Sequence, residues 1–144
     1  MPNLIAMLLK RKTKLVADSR IRYGKQQSDY DCGQTCLDML GYDGHRMFPG
    51  KAVIEDKVAE IFGYARDQIR CIDFNEKTFF ELPYFLTVMR GDQWGWHAVI
   101  GFKDQIYCPS LGIFKIPDYK KYIWNSTTGF PIPFAEDNNK NNTY

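Results

Sequence analysis

The chain holds four cysteines and two histidines, and one cysteine lies in a context suited to chemistry. Cys32 stands in Gln26-Gln27-Ser28-Asp29-Tyr30-Asp31-Cys32-Gly33, ahead of a helical pattern in which Cys36, Leu37 and Leu40 share a face. The free N–H groups and dipole of a helix N-terminus favour a thiolate, the nucleophilic form of cysteine. Gly33 leaves the approach to the sulfur open. A thiolate works with a base beside it, generally histidine. His45 sits in a glycine-rich loop past the first helix, which the sequence places at the far end from Cys32. His97 opens an apolar strand after the turn Gly91–Gly95, where its side chain can meet a helix terminus, so His97 is the expected partner. An acyl-transfer site also needs donors for the oxyanion. Gln26, six residues before Cys32, is the expected side-chain donor beside the Cys32 N–H, with Gln27 the adjacent alternative.

The elements that must carry these residues follow from periodicity. Helical spacing over Cys32–Leu40 ends at Gly41, and Val53, Ile54, Val58, Ile61 and Phe62 predict a second helix ending at Gly63. A short helix is expected around Glu76–Glu81 and another over Tyr119–Trp124. After Pro83 the period changes to that of strands. Tyr84–Met89, Trp96–Phe102 and Ile106–Cys108 read as antiparallel hairpins by loop length. Helices first and an antiparallel sheet afterwards predict an α+β domain. The expected organisation is a basic arm over residues 1–24, a domain over 25–135 and a disordered, asparagine-rich tail over 136–144.

At 144 residues, with 44% hydrophobic and 15% aromatic residues, the chain is one globular domain's worth. The net charge of +2 gives no argument for nucleic acid, but seven Lys/Arg fall within Met1–Lys25 against one acid, Asp18. That arm is read as a solvated or docking segment able to meet an acidic partner; a nucleic-acid, phage or membrane contact has only its charge in support. The apolar run Leu4–Leu9 is shorter than a signal core and its charges follow it, and no segment has membrane-spanning length. The expectation is a cytoplasmic or phage-associated protein with reduced cysteines.

Gln26, the run Asp29-Tyr30-Asp31-Cys32-Gly33, the helix with Cys36 and Leu37, and Trp96-His97-Ala98-Val99-Ile100 resemble a papain-like cysteine peptidase. The pattern is most similar to bacteriocin-processing, double-glycine-leader peptidases and their stand-alone relatives, over roughly Gln26 to Gly112. The resemblance implies a papain-like fold and a peptide or amide substrate. It assigns Cys32 as nucleophile, His97 as base and Gln26 as oxyanion donor, with no metal or organic cofactor. One position departs from the pattern. Cys108-Pro109 stands where the family has Asp-Pro, and cysteine is a poor acceptor for the histidine. Asp104 lies in a hairpin turn, and Asn125 is the residue type papain-like enzymes often use. The open alternatives are a dyad, a triad completed by Asn125, or an inactive module that holds a peptide in the same groove. A zinc site from Cys32, Cys36, His97 and Cys108 is the metal alternative, lacking a second closely spaced ligand pair. Trp94 and Trp96 read as core or as a substrate wall.

Overall fold

The computed structural model describes residues 15–50, 52, 55–91 and 96–141. Most of the basic arm and Trp94 lie outside the described residues, and the side chain of Asn125 is likewise outside them. The segment from residue 15 to 31 has almost no regular structure, yet it is stitched to the domain rather than appended. The Asp18 N–H donates to the Tyr107 hydroxyl (3.0 Å), Arg22 N–H to the Met39 carbonyl (3.0 Å) and the Tyr23 hydroxyl to the Cys108 carbonyl (2.8 Å). Ile21 is buried, so the last third of the expected arm belongs to the core.

Helix α1 (Cys32–Met39) forms where the apolar stripe lies: Cys36, Leu37 and Met39 are fully buried, and Leu40 follows at its C-cap. Gly41, at φ +94°, ends it in the left-handed region. A single turn, α2 (Gly44–Met47), packs across α1, and a Cβ at position 44 would lie 2.2 Å from the Gln34 carbonyl oxygen. Only glycine permits that approach. Helix α3 (Glu55–Ile61) buries Val58 and Ala59.

Six antiparallel strands follow: β1 (Arg70–Cys71), β2 (Phe80–Arg90), β3 (Trp96–Lys103), β4 (Gln105–Cys108), β5 (Gly112–Lys115) and β6 (Ile123–Pro131). Their spatial order is β1-β6-β2-β3-β4-β5. A short helix α4 (Ile116–Tyr119) links β5 to β6, and α5 (Ala135–Asn141) follows β6. Both faces of the sheet are covered, which is why β3 buries six consecutive residues. Ala98, Ile100 and Phe102 join the cluster under α1 and α3; Val99 joins Leu86, Val88, Ile106, Cys108, Ile116 and Tyr119 behind the sheet.

The α+β class with an antiparallel sheet agrees with the expectation, as do the β2–β3–β4 hairpins. Three local expectations are corrected. Residues 76–81 form a turn leading into β2, because Phe80 is drawn into the rear cluster. The expected helix at Tyr119–Trp124 begins earlier, at Ile116, and gives way at Ile123 to β6, a strand inserted between β1 and β2. Part of the expected disordered tail is α5. Phe134 and Ala135 are buried, the Ala135 N–H donates to the Leu40 carbonyl (2.9 Å), and Arg20 pairs with Asp137 (2.8 Å), so apolar anchoring outweighs the polar composition.

Candidate active site

Cys32 is the first residue of α1, partly buried, and its Sγ accepts the Ala98 N–H at 3.5 Å. His97 precedes Ala98 at the start of β3, in register with Val88 on β2. The two side chains are neighbours on the wall of one cavity, and each favours the other's charged form. Burial opposes ionisation of Cys32. The hydrogen bond with His97 and the N–H groups of Ala98 and Gly33 outweigh it, and the thiol falls below its ordinary range. Burial would likewise push His97 down. Hydrogen bonds with Cys108 and Cys32 reverse that and raise its pKa to about 9.

The pair opens onto a cavity of about 360 Å³ whose walls include Ala52, Glu55, Phe85, Thr87, Trp96 and Thr128. Trp96 is an exposed part of this wall rather than core. Burial raises the Glu55 carboxyl, partly offset by hydroxyls of Thr87 and Thr128; the Thr128 hydroxyl lies 3.0 and 2.9 Å from its two oxygens.

Gln26 lies in the loop leading to Cys32, fixed by its N–H to the Pro109 carbonyl (2.9 Å). Its side-chain amide Nε2 donates to the Ser28 carbonyl (2.7 Å), while Oε1 is buried without a partner among the described residues. The loop itself is organised by Asp31. That buried carboxylate accepts the N–H groups of Gln27 (3.0 Å) and Ser28 (2.9 Å) and meets His45 Nε2 (3.0 Å). Burial would raise the Asp31 carboxyl, but these donors hold it down at about 2.

His45 corrects the sequence expectation. It does not lie at the far end of α1 but reaches back along it, its Nδ1 on Asp38 (2.5 Å) and its Nε2 on Asp31. The reason is periodic: positions 31 and 38 are seven apart and share a helix face. With both nitrogens engaged by carboxylates, His45 is a clamp for the loop.

His97 Nε2 faces Cys108 Sγ (3.4 Å) and Ser110 Oγ (3.4 Å). Cys108 is fully buried, and its sulfur also accepts the Tyr119 hydroxyl (3.3 Å) and contacts Ser110 Oγ (3.4 Å). Arg90, buried on β2, donates to Ser110 Oγ. Ser110, Tyr119 and Arg90 are neighbours of Cys108 and His97 that sequence reasoning missed; the Pro109 that follows Cys108 was the nearest signal. Asp104 is excluded as the third residue, because its carboxylate pairs with Lys115 (2.5 Å) in the β3–β4 turn. Cys36 is core and Cys71 is exposed away from the pair. Among the described residues no group of three or more His, Cys, Asp or Glu could hold a metal ion, and no helix is long and apolar enough to cross a membrane.

Neither a protein-family model nor a curated protein sequence matches the chain.

Proposed function

We propose that the protein is a cysteine peptidase of papain-like type that cleaves a peptide or related amide bond. The observation that carries this reading is the Cys32 sulfur at a helix N-terminus, bonded to the Ala98 N–H beside His97 and opening with His97 on a cavity able to take a side chain. The Cys32 thiolate attacks the carbonyl carbon, and the carbonyl π-electrons move to oxygen. The Cys32 N–H and the Gln26 amide, once turned from the Ser28 carbonyl, donate to that oxygen. As the tetrahedral intermediate collapses, the C–N bond breaks and imidazolium His97 gives its proton to the leaving amine. Water then attacks the thioester while His97 takes its proton, which releases a carboxylic acid and restores the thiolate–imidazolium pair.

Fluorogenic peptide libraries incubated with wild type, Cys32→Ala and His97→Ala test the proposal. Turnover by wild type with loss of activity in both variants, each retaining the wild-type circular dichroism spectrum, is the expected result. Activity preserved in either variant rules the mechanism out.

A further inference from the structure

The position that departs from the resembled pattern is also the most heavily hydrogen-bonded sulfur among the described residues. Three groups converge on Cys108 Sγ: His97 Nε2 from β3 (3.4 Å), the Tyr119 hydroxyl from α4 (3.3 Å) and Ser110 Oγ beyond β4 (3.4 Å). A neutral thiol is a weak acceptor, and a fully buried tyrosine hydroxyl needs a real one. An anionic sulfur satisfies Tyr119, Ser110 and an imidazolium N–H together.

The remaining groups facing this sulfur agree with that charge. Arg90, also buried, donates to the Ser110 hydroxyl that touches both Cys108 and His97. It supplies a positive charge one hydroxyl away. The Tyr23 hydroxyl is engaged by the Cys108 carbonyl and is pushed up to about 12, chiefly by burial. Tyr119 is pushed up further, again by burial first, so both phenols stay neutral. Cys36, on α1, is fully buried and pushed well above the thiol range, so it stays a neutral neighbour. Cys32 also neighbours the imidazole and, like Cys108, favours its charged form.

We propose that Cys108 is held as a thiolate and serves as the positioning residue for His97, in the place where such sites otherwise hold a carboxylate or an amide. The inference rests on reading Cys32 and His97 as the reactive pair. Imidazolium has two N–H groups, and the one on Nε2 meets the Cys108 sulfur. The Cys108 anion holds the ring through Nε2 and stabilises the positive charge that His97 carries between proton transfers. Cysteine at this position is then a substitution that preserves charge, not a degenerate one. The donors outweigh burial and bring the Cys108 thiol down to about 6, which supports the geometry.

The test uses the full chain and two readouts. In a Cys32→Ala/Cys71→Ser background, ultraviolet thiolate absorbance is titrated with pH, and the same titration is run after adding Cys108→Ala. A thiolate appearing well below the ~8.5 of a free thiol, and absent once Cys108 is removed, is expected. No such thiolate overturns the proposal. In the otherwise wild-type chain, Cys108→Ser should lower kcat roughly 10²-fold or more with little change in KM, and Cys108→Asp should recover much of it. Wild-type kcat in a folded Cys108→Ser also overturns it. If the Cys108 variants fail to fold, the absorbance of the Cys32→Ala/Cys71→Ser protein still decides the charge. A wild type without turnover would count against the peptidase reading alone, since the titration needs no substrate.

Discussion

Asp31→Asn removes the one negative charge that organises the loop entering α1 while keeping the side chain's size. In the native state this carboxylate accepts N–H groups from Gln27 and Ser28 and meets His45, and it titrates at about 2 rather than 3.8. A depression of that size corresponds to about 2 kcal/mol of stabilisation, at about 1.4 kcal/mol for each tenfold in proton affinity. The carboxylate has little exposed area but its partner His45 is half-exposed, so screening by solvent trims this contribution. Because the folded-state pKa is the lower one, the contribution is complete above the unfolded value and is lost as pH falls toward the folded one. Linkage gives about half of it remaining at pH 3, roughly 1 kcal/mol. Urea unfolding of wild type and Asp31→Asn at pH 7 and pH 3 reads both values. The expected penalty is about 2 kcal/mol at pH 7 and roughly half that at pH 3. A penalty equal at the two pH values would show that the loss is one of shape, and would refute the assignment of charge-assisted hydrogen bonds at Asp31.

Other consequences follow from the same geometry. The leaving amine takes its proton from imidazolium His97, so kcat should fall as pH rises through about 9, the raised folded-state value, in a pH–rate profile. A profile still rising beyond pH 10 would contradict this. A Cβ at position 129 would lie 2.7 Å from the Phe85 carbonyl oxygen and 2.6 Å from Leu86 Cδ2, so Gly129→Ala should cost about 1–3 kcal/mol in urea unfolding, and a neutral result would mean the β2–β6 spacing yields. Thr128→Val removes a hydroxyl donor to Glu55, whose carboxyl should move further above its ordinary range. Carboxyl-carbon NMR titration reads that shift, and an unchanged or lower value would contradict it.

The nearness of Cys32 to the start of β3 was legible in the sequence because its signals are local. A cysteine before a helical stripe and a histidine opening an apolar strand are each visible within ten residues, and β3 bonding to α1 brings them together. The surroundings of His97 were not legible. Arg90, Cys108 with Ser110, and Tyr119 come from three separate stretches, and their convergence depends on the β3–β4 register and on α4 folding behind the sheet. Taken alone, Cys108 looked like a weakened third residue; its donors are visible only in three dimensions. Strand β6 was hidden for another reason. Asn125-Ser126-Thr127-Thr128-Gly129 has little apolar character, and β1 and β2, pairing on either side of it, supply its place in the sheet. Both misplaced helices, at Glu76–Glu81 and Tyr119–Trp124, lie where weak local preference lost to packing of Phe80 and Ile116 in the rear cluster.

The measurement that bears most directly on the site is the pH dependence of iodoacetamide alkylation, mapped to each cysteine by mass spectrometry in wild type and His97→Ala. Cys32 should react fastest in wild type, with a midpoint below the free-thiol value of about 8.5, and His97→Ala should move that midpoint upward. A Cys32 that reacts with the same midpoint whether or not the imidazole is present would mean that no proton passes between them.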